Sequence, residues 1–271
     1  MAHHHHHHMS FKPKIIVCGS PAELSGVACK KIVEIIHASE RTNWPLSIAL
    51  SGGSTPKMLY SLLHEEHLHL LKEERALRFF FGDERLVPAD AAESNYNMAR
   101  QALLRDIPED LVVPVDVGCV GKVSKVACND AVKSADAYEK KIALLLGTQK
   151  VEGMEAEIPV FDIVLLGLGS DGHTASIFHG SQAESEMHRA VSVGFPSPTM
   201  SPKVWRVTLT PITIIHARHV ILLATGKEKK CVLNGIIADT PTEVPVSRFL
   251  RNCKGDVTFI LDKEIAENLT C

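Results

Sequence analysis

The sequence has no CxxC pair, no long basic run, no apolar stretch of membrane length and no internal repeat, and each absence removes a class of protein. Seven cysteines are scattered at positions 18, 29, 119, 128, 231, 253 and 271. An odd number on a chain of 271 residues argues against the disulfide framework of a secreted domain and favours a reducing compartment. The formal charge is only −3 and basic residues do not cluster, so bulk nucleic acid and anionic membrane have no electrostatic counterpart. Apolar runs are strand-sized, well short of the ~20 residues that cross a bilayer. Residues 1–8, Met1-Ala2 followed by His3 to His8, read as a purification tag. The Met9-Ser10-Phe11-Lys12 that follows lacks the apolar core of a signal peptide, and the tail Asn268-Leu269-Thr270-Cys271 is neither a prenylation nor a peroxisomal signal, so a cytoplasmic protein is expected.

What is present is the composition of a folded globular protein, 45% hydrophobic and 23% charged, with no low-complexity linker to divide residues 9–271, which are expected to form one domain. Strand-like runs recur at Ile15–Val17, Leu46–Leu50, Arg78–Phe81, Phe161–Leu166, Ala190–Val193, Trp205–Leu209, Val220–Ala224 and Val257–Leu261. Helical patterns fall between them. Ser20-Pro21-Ala22-Glu23 predicts a capping box opening a first helix, whose stripe is Leu24, Val27, Ala28, Ile32, Ile35 and Ile36. Further helices are predicted near 56–71, 95–105, 125–146, 173–178, 227–238 and 246–251. A run such as Phe161 to Leu166 does not alternate polar and apolar residues, so it is expected to be buried on both faces. The fold class that follows is α/β, a doubly wound, mostly parallel sheet with helices on both faces. Val193 to Pro202, with three prolines, is expected to be a mobile loop.

Sheets of this kind bind ligands beyond the carboxyl ends of their strands, so the segments that follow strands carry the chemistry. Ser51-Gly52-Gly53-Ser54-Thr55-Pro56 pairs two glycines with hydroxyls at a helix start, a cradle for a phosphate, although an ordinary Gly-rich turn has the same composition. It lacks the lysine of a P-loop, which favours a simple phosphoester over a nucleoside triphosphate. Gly82-Asp83-Glu84-Arg85 sets a carboxylate beside a guanidinium, either to order a substrate or as a surface salt bridge. Gly167-Leu168-Gly169-Ser170-Asp171-Gly172-His173 contains a literal GxGxxG, but Asp171 would face a pyrophosphate, and the next strand-like run ends in Gly194 instead of an acidic residue that holds a ribose. Leu168 also spoils a GxSxG elbow. What remains is a bent loop carrying His173, a competent general base near neutral pH, with Asp171 two residues away to orient it. Arg206 in a strand and Lys229 at a helix start suggest an anionic ligand. His64-Glu65-Glu66-His67-Leu68-His69 resembles a zinc-protease helix, but Leu68 replaces the second ligand, so it reads as an exposed helix end. No metal and no cofactor are implied.

Together, Ser51 to Pro56, Gly82 to Arg85 with Ser94-Asn95, Gly167 to Ser176, Arg206 to Thr210 and Thr225-Gly226 with Lys229 resemble the glucosamine-6-phosphate isomerase/6-phosphogluconolactonase family, and its lactonase branch in particular. The likeness runs from about Ile15 to Asp262 and departs at His179, where the pattern has proline. It implies the sugar-phosphate isomerase type of α/β fold and hydrolysis of 6-phospho-D-glucono-1,5-lactone in the oxidative pentose phosphate pathway. It places the catalytic histidine at His173, an arginine of the site at Arg85 and the phosphate-holding cations at Arg206 and Lys229. Asp171 is then the orienter, and Gly52, Gly53, Ser54, Thr55 and Asp83 belong to the substrate cradle. The expected partner is a small sugar phosphate, with no nucleic acid, membrane or protein partner. The rivals are a glucosamine-6-phosphate deaminase-type isomerase and a non-catalytic sugar-phosphate sensor.

Overall fold

The structure, a computed structural model, describes residues 11–151, 153–239 and 244–267, so the tag and the C-terminal tetrapeptide lie outside the described residues. The chain opens with β1 (Lys14–Cys18), α1 (Pro21–Ala38), β2 (Leu46–Leu50), α2 (Ser54–Lys72), β3 (Leu77–Phe81) and a short β4 (Asp83–Arg85). Then come α3 (Asn95–Ala102), α4 (Cys128–Leu146), the small pair β5 (Gln149–Lys150) and β6 (Glu157–Ile158), and β7 (Ile163–Leu166). The remainder is β8 (Val191–Gly194), β9 (Arg206–Leu209), α5 (Pro211–Ile215), β10 (His219–Ala224), α6 (Lys230–Ile237), β11 (Asp256–Asp262) and α7 (Lys263–Ala266).

Six strands form one parallel sheet in the order β1-β11-β10-β7-β2-β3. Every residue of β2 and β7 is buried, as their lack of alternation predicts for strands covered on both faces. Ile48 lies opposite Ile163 and Ala49 opposite Val164 in this central pair. From β2 the sheet continues to β3 on one side, whereas from β7 it continues to β10 on the other. The direction of winding therefore reverses between β2 and β7, and a crevice opens beyond their carboxyl ends.

Helix α1 shows how local sequence feeds this architecture. Ser20 takes the Glu23 N–H at 3.1 Å, as predicted, while the Glu23 carboxylate reaches back to the N–H of Gly19, one residue before the cap. Its stripe delivers Leu24, Ile32 and Ile36 fully buried to the core, each contributing about 1.5–3 kcal/mol of burial. At the carboxyl ends of β2 and β3, two buried tyrosines take over from the ladder. Tyr60 of α2 accepts the N–H of Ser51 and donates to its carbonyl, and Tyr138 of α4 does the same to Phe81. Burial pushes both phenols well above their usual range, so they stay neutral and serve both roles.

Several expectations are corrected by the structure. The runs near 190–193 and 205–209 do not join the parallel sheet. They form β8 and β9 of a separate antiparallel sheet, order β4-β9-β8, and β4 itself was not foreseen. Gly82 alone carries the chain from one sheet to the other, donating to Leu50 O and accepting from Leu209 N–H. Residues 173–178 are not a helix. Ala175 adopts a left-handed φ of 51°, the Ser176 N–H donates to Thr208 Oγ1 and the His173 carbonyl accepts the Gly169 N–H, so the bonds of a helix are spent elsewhere. The 246–251 helix is a 3-10 segment over Val246–Asn252, and the 227–238 helix begins as a 3-10 turn. His64 to His69 lies in the closing turns of α2, which kinks at His67 and runs on to Lys72, with Glu65, Glu66 and His69 exposed as expected of a helix end. Among the described residues no helix is long and apolar enough to cross a membrane.

Candidate active site

A cleft of about 280 Å³ lies at the β2–β7 reversal. It is lined by Gly52, Gly53, Ser54, Thr55, Asp83, Arg85, His173, Arg206 and Lys229, residues brought from five separate stretches of sequence. Asp171, the remaining residue singled out from the sequence, stands behind His173 and not in the wall. Gly53 (φ 109°) caps α2, so the first turn of that helix presents its N–H groups beside Ser54 and Thr55.

His173 sits on the loop after β7. Its Nδ1 lies 2.5 Å from Asp171 Oδ1, and its backbone N–H donates to the same oxygen at 3.1 Å. An ionised carboxylate only accepts, so the proton resides on Nδ1 and the lone pair of Nε2 is left for the cleft. Burial alone would raise the Asp171 carboxyl. Hydrogen bonds from His173 and Ser197 outweigh it and hold the group well below the usual carboxylate range. Gly169 makes room for this pair: a Cβ there would lie 2.2 Å from His173 Nδ1 and 2.7 Å from Asp171 Oδ1. The imidazole packs against the buried ring of Phe178, with centroids 4.5 Å apart.

Arg85 and Arg206 line the same cleft from the second sheet, and Lys229 lines it from the 3-10 turn that follows β10. Arg206 is only 3% exposed, sits over the other neighbour of His173, Phe178, at 5.3 Å, and donates to Pro202 O. Burial first, and then the charge of Arg85, lowers its guanidinium to about 10, so it remains charged at neutral pH. Among the described residues none of Arg85, Arg206 and Lys229 forms an ion pair, and Nε of both arginines has no partner. Buried positive charge with open donors is what an anionic ligand requires. The surface salt bridge between Asp83 and Arg85 is not found. Asp83 is buried, taking Ser176 Oγ at 2.7 Å and Asn95 Nδ2 at 3.3 Å, and Arg85 donates instead to Glu93 O.

Three supporting groups, two of them inside motifs already singled out, have no role readable from the sequence. Glu84, 2% exposed, accepts the N–H groups of Arg85, Asn95 and Tyr96 and so binds β4 to the start of α3. Burial pushes its carboxyl up to about 7 against the pull of those donors. Asn95 fills the space beside Gly52. Ser197 holds the second oxygen of Asp171. Far from the cleft, at the contact of α1 and α2, Cys29, Glu66 and His67 bring three atoms of metal-ligating type within 4.8 Å of one another. The cleft itself gathers no such group among the described residues.

Comparison with known proteins identifies the family. Residues 19–259 match the family described as glucosamine-6-phosphate isomerases/6-phosphogluconolactonase. The structure superposes on a 6-phosphogluconolactonase from Trypanosoma cruzi with a TM-score of 0.95 at 99% identity, covering 98% of this chain and 100% of that one. A 6-phosphogluconolactonase from Trypanosoma brucei gives 0.94 at 63% identity over 96% and 100%. A 6-phosphogluconolactonase of Treponema pallidum is 37% identical over 79% of this chain and 82% of its own length. Matched by the family over residues 19–259 and by the two trypanosomal structures in fold and over nearly its whole length, the chain belongs to the glucosamine-6-phosphate isomerase/6-phosphogluconolactonase family.

Proposed function

We propose that the chain hydrolyses 6-phospho-D-glucono-1,5-lactone to 6-phospho-D-gluconate, the lactone-opening step of the oxidative pentose phosphate pathway, with His173 as general base. The observation that carries this reading is the Asp171–His173 pair, whose Nε2 is left for a cleft lined by three cations that form no ion pair among the described residues. A lactone carbonyl is already electrophilic, so the enzyme has only to activate water and stabilise charge. Nε2 takes a proton from water as its oxygen bonds to C1. Arg85 and the Gly52-Gly53 backbone stabilise the oxyanion, and Asp171 stabilises the imidazolium. Collapse breaks the bond from C1 to the ring oxygen, which receives the proton held on His173. Arg206 and Lys229, with Ser54 and Thr55, anchor the phosphate. Among the described residues Cys18, Cys29, Cys119, Cys128 and Cys253 are free thiols whereas Cys231 is disulfide-bonded, and the cytoplasm is proposed as the compartment.

The isomerase reading is disfavoured by Phe178. In the deaminase pattern that position carries a glutamate that assists the histidine in proton transfer, and a buried phenyl ring packed on His173 can move no proton. The test is hydrolysis of freshly made lactone, followed above its spontaneous background, with glucosamine 6-phosphate as the control substrate. His173→Ala should lower the rate by at least ~10²-fold while ligand binding persists. Near-normal turnover in that variant, or ammonia release from glucosamine 6-phosphate at a comparable rate, would overturn the proposal.

A further inference from the structure

The Asp171 carboxylate has two oxygens, and only one is used by His173. The other accepts the hydroxyl of Ser197 at 2.7 Å. Ser197 lies in the segment between β8 and β9, the stretch whose prolines predict mobility, yet that segment is cross-tied from within. The ammonium of Lys203 donates to three carbonyls, those of Ser197 (2.8 Å), Pro198 (2.6 Å) and Met200. Met200 N–H closes a turn onto Ser197 O at 2.9 Å. At the base of the loop the rings of Phe195 and Trp205 meet edge to face at 5.2 Å. The same segment supplies the Pro202 carbonyl that receives Arg206. One short loop therefore grips both the acid behind the base and the buried cation across from it.

We infer that Ser197, held by the Lys203-tied loop, is a positioning residue that locks the Asp171 carboxylate and through it the imidazole of His173. The torsion that turns a carboxylate about its own axis is broad and nearly two-fold, so a single bond to His173 leaves it free to rock. A second bond on the far oxygen removes that freedom. It also keeps the carboxylate ionised, which fixes the tautomer that exposes Nε2. Ser197 touches neither water nor substrate in this scheme. Its effect runs through Asp171, and a loss of orientation lowers the chemical step without loosening the phosphate anchor.

This inference rests on His173 being the base, so its test has one arm that measures turnover and one that does not. In Ser197→Ala, kcat for lactone hydrolysis should fall ~10-fold with KM nearly unchanged, the scale expected for a partner of a first-contact group. Ser197→Thr, which keeps the hydroxyl, should restore most of it. Lys203→Met should lower kcat in the same direction by a smaller factor. Independently of activity, 15N–1H NMR of the histidine side chains should show a downfield Nδ1–H signal for His173 that Ser197→Ala weakens or broadens and Ser197→Thr retains. A wild-type kcat, or a rise in KM alone, in Ser197→Ala would refute the positioning role, as would an undisturbed Nδ1–H signal. If instead His173→Ala stays active, the base assignment fails, and the NMR arm alone decides whether Ser197 orders the pair.

Discussion

Gly52→Ala is a sharp probe of how the cleft is built, because the added methyl has nowhere to go. Its Cβ would lie 2.1 Å from Asn95 Oδ1 and 2.7 Å from Asn95 Cγ. The asparagine must retreat by more than ~1 Å to regain ordinary contact. It is buried, and its Nδ2 donates to the carbonyl and the carboxylate of Asp83, at 3.0 and 3.3 Å, so retreat breaks its hold on the wall of the cleft. Forcing a methylene into a packed site costs about 1–3 kcal/mol, and an unmade buried hydrogen bond about 1–3 more. The sum, ~2–6 kcal/mol, should lower the midpoint of thermal unfolding by roughly 4–24 °C for a chain of this size. Gly53→Ala should also destabilise, for another reason. Its nearest neighbour is Pro56 Cδ at a comfortable 3.7 Å, but its φ of 109° is closed to other residues, at a cost of about 1–3 kcal/mol. The two causes separate in a double-mutant cycle read by urea unfolding of the tryptophan signal. Truncating Asn95 to Ala should relieve Gly52→Ala by at least ~1 kcal/mol and leave Gly53→Ala unrelieved. Additivity of Gly52→Ala with Asn95→Ala would show that the steric reasoning is wrong.

Three further outcomes are expected. Asp171 has its folded value depressed below the unfolded ~3.9, so it contributes stability above that pH that is lost as pH falls toward the folded value; Asp171→Asn should flatten thermal stability between pH ~4 and ~2. Glu84 acts in the opposite sense: its folded value is raised to about 7, so its contribution is full below ~4.3 and declines as pH rises through 7, and Glu84→Gln should remove that slope in melting curves from pH ~4 to ~8. Arg206→Ala and Lys229→Ala should each weaken 6-phosphogluconate binding by ~10- to 10²-fold in calorimetry while leaving the poor binding of gluconate unchanged; equal losses for both ligands would dismiss the anchor.

The parts of the molecule legible in its sequence are those whose physics is local. β7 announces itself as an unbroken apolar run and β2 as one broken only by Ser47, Ser20 and Pro21 mark the start of α1, and Asp171 two residues before His173 suggests an oriented imidazole. The second sheet was not legible as a sheet. Asp83-Glu84-Arg85 has no strand propensity of its own and is extended only because β9 pairs with it. The predicted 173–178 helix failed for the same reason: Thr208, 32 residues from Ser176, claims the N–H that a helix would use. Ser197 is as remote from Asp171, 26 residues along the chain, and one serine among prolines carries no periodic signal. The burial of Glu84 depends on three backbone donors from β4 and α3 that converge on it only in the folded chain.

The paired tyrosines have a consequence for how the molecule meets other chains. β3 is the last strand on its side of the parallel sheet, the kind of edge that invites a foreign strand to add itself. Here the invitation is withdrawn: Val113 N–H already occupies the Phe79 carbonyl, and the Tyr138 hydroxyl occupies both polar groups of Phe81. A phenol, able to give and accept a hydrogen bond at once, does the work of an entire peptide unit without extending the ladder. The sheet thus ends beside its cleft on side chains, and intermolecular strand addition at this edge would first have to evict a buried tyrosine.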